Sequence, residues 1–144
     1  MKQIAFRGTI IVLAHMIVLL SHGRAHSHLH IEPSQWQSAF IAIVIFSSPV
    51  LAAFLLWTRW QRTGITFLGI SLGGSLLFGL YYHFVASGID SVFNPIQSHW
   101  NIWFRVTSVL LAVVELAGCV WCFVPGRFAL SSRCLRRGIL GPRS

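Results

Sequence analysis

A chain of 144 residues that is 55% hydrophobic and only 10% charged does not have the composition of a soluble domain, where about a quarter of residues carry charge. Its formal charge of +8, from 11 basic against 3 acidic side chains, would suit a nucleic-acid binder if the cations formed a surface patch. Instead Lys2, Arg7, Arg59, Arg62, Arg127, Arg133, Arg136, Arg137 and Arg143 flank apolar runs, as Lys and Arg do when a bilayer sets topology, which argues against nucleic acid as a partner.

In chain order, a basic head is followed by an apolar run over residues 4–20, short but sufficient for a tilted span. The same head, run and Gly23-Arg24-Ala25 also resemble a secretory signal peptide, and cleavage after Ala25 would make His26 the N-terminus. A second span is expected over 38–57, entered through Pro33-Ser34-Gln35-Trp36. Pro49, behind Ser47 and Ser48, predicts a kink near its middle, with the serine hydroxyls satisfying freed backbone groups. The connector 57–62 is aromatic and basic, and belongs to the cytoplasmic face.

The third span is expected over 65–85. Gly69 and Gly73 make a GxxxG spacing that lets helices approach closely, within the chain or between copies, and Gly79 offers further room beside His83. Residues 86–101 form an outer loop carrying Asp90 and His99, and the fourth span runs over 102–124. Arg105 lies near its outer end, where it can snorkel, and Glu115 lies deep inside. Pro125-Gly126 ends that helix. Residues 127–144 read as a basic tail lying on anionic lipid.

These spans predict an all-α polytopic membrane protein: a transmembrane domain over 1–126, four helices in an antiparallel bundle, and a cytoplasmic tail over 127–144. Nine of the eleven cations fall on the head, the second connector and the tail, so both termini are expected inside. A bacterial inner membrane is the expected location, and a homo-oligomer or a larger membrane complex the expected assembly. The three cysteines cannot all pair with one another, so no disulfide framework is indicated. Cys119-Val120-Trp121-Cys122 has redox-motif spacing but sits in an apolar helix, where it reads as small apolar filler.

Chemistry concentrates around Ala25-His26-Ser27-His28-Leu29-His30-Ile31-Glu32. His15, His22 and His26, at offsets of seven and eleven, fall within about 20° of one direction on a helix. His26, His28 and His30 share a side only in an extended strand. In either form, His22, His26, His28 and His30, with Glu32, Asp90 or His99, are candidate ligands for copper, zinc, nickel or iron. The plainer alternatives are a solvated polar loop or a pH sensor.

His15 and His83 lie inside spans near the outer boundary and suggest, less strongly, a b-type haem pair. Glu115 is an intramembrane carboxylate, a candidate proton or ion relay step, or else a structural hydrogen-bond partner of Ser47, Ser48 or Ser71. No phosphate loop and no nucleophile with a base stands out, so catalysis is not indicated. The expected function is binding of a transition metal for passage, delivery or sensing, with a packing subunit of a membrane complex as the alternative.

Overall fold

A computed structural model describes residues 2–94 and 98–124. The basic tail, the Pro125-Gly126 stop and Pro95 lie outside the described residues. Within them the chain is helical without a strand, and four helices are long and apolar enough to cross a membrane: Lys2–His28, Gln35–Leu56, Gln61–Val85 and His99–Phe123.

The first helix does not stop near residue 20 as its hydropathy predicts but continues to His28. Ser21 and Ser27 donate back to the carbonyls of Ile17 and Gly23 at 2.8 and 3.1 Å, so the polar stretch stays compatible with a helix. Ala25 is fully buried against Val92 and Phe104, which anchors the extra turns. The end is a Schellman-type closure. Ile31 N–H reaches His26 O at 3.1 Å and His30 N–H reaches Ser27 O at 3.3 Å, with His30 in the left-handed region at φ 54°. Ser34 and Gln37 then form a reciprocal capping box that starts the second helix. Ala25, the cleavage point of the signal-peptide reading, is thus an interior helical position.

The second helix contains a π-helical segment over Ile41–Ser47 before Pro49. The Ser47 and Ser48 hydroxyls donate to Ala42 O and Ile43 O, each at 2.7 Å. Pro49 has no N–H to offer the carbonyl four residues back, that of Ile45. His15 Nε2 reaches that carbonyl at 3.1 Å, while Ser71 Oγ donates to Val44 O at 2.6 Å. A broken ladder in one helix is therefore bridged by side chains from two others.

The fourth helix packs against the first and the third, and the third against the second. Gly69 lets the third and fourth helices approach closely. A Cβ there would meet Phe123 Cζ at 2.7 Å and Cys122 Cβ at 3.0 Å, so this glycine face is filled by the chain's own fourth helix. Large apolar side chains such as Ile17, Phe54, Leu77, Val113 and Leu116 point outward, whereas His15, Ser71, Ser75, Thr107, Ser108 and Glu115 are buried. Apolar outside and polar inside is the arrangement expected where hydrocarbon is the solvent.

Candidate metal centre

Three histidines converge at the end of the bundle where the first helix closes. His22 and His26 stand one turn apart on the first helix, and His83 comes from a π-helical last turn of the third, Tyr81–Val85. His22 Nε2 lies 3.1 Å from His83 Nε2 and 3.1 Å from His26 Nε2. One ligand atom from each of the three falls within 4.8 Å of the others. Phe104 packs against all three rings, with centroid separations of 5.1, 5.2 and 5.3 Å.

The outward nitrogens fix the tautomers. His22 Nδ1 sits 3.0 Å from Thr107 Oγ1, whose own hydrogen goes to Trp103 O at 2.8 Å or Phe104 O at 3.1 Å. The hydroxyl must therefore accept from the ring. His83 Nδ1 sits 3.0 Å from Asp90 O, and His26 Nδ1 lies 3.4 Å from Ile31 O and 3.5 Å from Asp90 Oδ1. Carbonyls and carboxylates only accept, so in each neutral ring Nδ1 carries the hydrogen. Three Nε2 lone pairs then point at one another.

Converging lone pairs repel unless a cation or a proton stands between them. An Nδ1–H tied to oxygen with a free Nε2 is how metal-ligating histidines are usually oriented. A tetrahedral site with metal–nitrogen bonds near 2.0–2.1 Å places its nitrogens about 3.4 Å apart. Two of the three separations are already close to that.

The triad faces a cavity of about 500 Å³. His30, Glu32, Gln37 and Asp90 line it on the triad's side, and Ile41, Ile45, Ser75, Phe78 and Leu111 line it further along the helices. Gly79 also borders it, and a Cβ there would touch only His83 Cδ2 at 3.9 Å. A metal held by three imidazoles would keep at least one coordination position open toward this space.

The remaining sequence candidates stand outside that centre. His28 is exposed and stacked on Trp100, centroids 3.8 Å apart and planes at 12°, because helix continuation turns it away from His26. His99 lies beside the same tryptophan at 5.0 Å. His30 and Glu32 reach the cavity wall but do not join the triad. Asp90 contacts two rings of the triad, those of His83 and His26. Arg105 is exposed and donates to Asn94 O at 3.0 Å.

His15 does not reach outward to pair with His83. Its Nε2 lies 3.1 Å from Ile45 O and its Nδ1 faces Glu115 Oε1 at 3.5 Å, so its ring is turned to the second and fourth helices rather than to His83. The haem expectation placed His15 near the outer boundary, and the helix extension to His28 puts it mid-helix instead. Glu115 accepts from Ser75 Oγ, not from Ser47, Ser48 or Ser71, which are occupied with backbone carbonyls of the second helix. Cys119 Sγ lies 3.7 Å from Gly69 O and Cys122 sits in the apolar core, as small packing residues. Thr107 and Ser75 carry no signal in the sequence, since a hydroxyl's partner on another helix leaves no local pattern. The chain matches no protein-family model, no curated protein and no solved structure.

Proposed function

We propose that the protein is an integral membrane metal-binding protein that takes up a transition metal through Nε2 of His22, His26 and His83, for passage or delivery. The observation that carries this reading is the convergence of three Nε2 lone pairs whose Nδ1 hydrogens are each tied to oxygen. Neutral imidazole suits copper, zinc, nickel or iron. The positive-inside asymmetry supports an antiparallel arrangement with both termini cytoplasmic and the triad on the extracytoplasmic side. Glu32 and Asp90 at the cavity wall add the negative charge that favours a cation there.

Metal analysis of the purified full chain tests it. One zinc or copper per chain is expected in the native protein, and loss of that metal in the His22→Ala, His26→Ala and His83→Ala variants. Stoichiometry unchanged in all three would remove the reading.

A further inference from the structure

Below the triad, two residues of the same cavity's wall, Ile45 and Ser75, bond to a second polar pair, His15 and Glu115, that metal binding alone leaves unexplained. We propose that His15 and Glu115 hold a single proton there, as a carboxylic acid donating to a neutral imidazole, and that this proton leaves when a divalent cation occupies the triad. The exchange rests on the triad reading; the proton-holding pair does not.

The geometry begins with Pro49. Because it has no N–H, the Ile45 carbonyl is open to His15 Nε2 at 3.1 Å. A carbonyl only accepts, so Nε2 carries the ring hydrogen and Nδ1 presents a lone pair. That lone pair faces Glu115 Oε1 at 3.5 Å and has no hydrogen-bond partner among the described residues. His15 and Glu115 are 0% and 1% exposed. A lone pair against a carboxylate oxygen in such a place is repulsive, and one proton on Oε1 turns it into a hydrogen bond. Oε1 then accepts from Ser75 and donates to His15, leaving no net charge in an apolar interior.

Groups facing the pair offer no alternative counter-charge. The first helix contributes His15 itself, the second the Ile45 carbonyl and the third the Ser75 hydroxyl. The fourth adds Cys119 one turn along, with its thiol directed at Gly69 O. No Lys or Arg contact to Glu115 occurs among the described residues.

Ser75 and Ile45 line the cavity that His22, His26 and His83 also line. His22 stands seven residues from His15 on one helix, about 10 Å along the axis. At an effective dielectric near 20, a divalent ion about 10 Å from the carboxylate favours its deprotonated form by roughly three-hundredfold. Loss of the proton leaves neutral His15 and one carboxylate, so the interior gains one charge rather than two. Ser75 is the exit: once its hydroxyl turns from Oε1 toward the cavity it lines, its oxygen accepts the Glu115 proton and its own hydrogen leaves to solvent there.

Infrared spectroscopy of the purified full chain tests both parts. The metal-free protein is expected to show a protonated carboxylic-acid band that shifts in D2O, is absent from Glu115→Gln, and persists in a Glu32→Gln/Asp90→Asn double variant, which leaves Glu115 as the one acidic side chain. Saturation with Zn2+ should convert it to carboxylate. Calorimetry in buffers of different ionisation enthalpy should count one more proton released per zinc in the native chain than in Glu115→Gln. Absence of the acid band overturns the pair, and a band that survives full zinc occupancy overturns the exchange. Failure of the native chain to bind zinc or copper overturns the triad, while the metal-free band still decides the pair.

Discussion

His22 Nδ1 and Thr107 Oγ1 lie 3.0 Å apart across the first and fourth helices, and this contact decides which nitrogen of His22 looks into the triad. Replacing the hydroxyl by a methyl in Thr107→Val keeps the volume and removes the acceptor. The ring hydrogen is then unsatisfied in a buried place, and the other tautomer, with Nε2 blocked, becomes competitive. Losses of about tenfold or more in metal affinity follow from removing such a support. Chelator competition should show this with stoichiometry unchanged, and Thr107→Ser should restore it.

Acid should release the metal. Protons and metal ions compete for the same three lone pairs, so affinity present when the imidazoles are neutral is lost as pH falls through the histidine range, around 6.5 for an ordinary imidazole. The expected trend is one direction only, from tight binding at about pH 8 to release at about pH 5. Affinity measured across that range by equilibrium dialysis and found constant would be inconsistent with an all-imidazole site.

Much of the bundle was legible because hydropathy reports it directly: four apolar stretches appear where four helices stand. What misled was the end of the first. Ser21 to Arg24 look like a boundary, yet serines bonding back to Ile17 and Gly23 keep the helix going, and tertiary burial of Ala25 outweighs local polarity. The helical ladder of His15, His22 and His26 was visible in their spacing, while the competing strand pattern of His26, His28 and His30 was equally consistent with the letters. His83 joins His22 from 61 residues away, and no local period carries such a pairing. The same holds for Ser75 and Glu115, 40 residues apart.

Two glycines on the third helix should respond unequally to added side chains. Gly69→Val would drive a side chain into Phe123 and the Cys122 Cβ, costing about 1–3 kcal/mol through overpacking. Gly79→Ala adds a methyl into ordinary contact with His83 Cδ2 and should change stability by no more than about 0.5 kcal/mol. Thermal unfolding in one detergent separates them, and equal losses would contradict the close approach at Gly69.

Histidines outside the triad should be dispensable for the metal. His28 is spent on stacking with Trp100, and His99 flanks the same ring. The His28→Ala/His99→Ala double variant is therefore expected to keep one metal per chain with affinity within about threefold, measured beside His26→Ala in the same preparation. Loss of metal in the double variant would place ligands in the outer loop instead.

Asp90 acts on two histidines of the triad at once, through two different atoms. Its backbone carbonyl takes the Nδ1 hydrogen of His83 at 3.0 Å, and its carboxylate Oδ1 lies 3.5 Å from His26 Nδ1. Only the second contact depends on the side chain. In Asp90→Asn, the backbone acceptor for His83 remains, and the negative charge beside His26 is gone. A nearby carboxylate raises the basicity of a ligating imidazole and offsets the charge of the bound ion. Affinity should fall about tenfold, with a smaller loss at high salt, where screening has already weakened the charge. A spectroscopic probe such as Co2+ absorption should keep the intensity of a three-imidazole site, because the ligand set is unchanged. A variant that binds as tightly as the native chain at low salt would show that His26 is held by the Ile31 carbonyl alone, at its 3.4 Å separation.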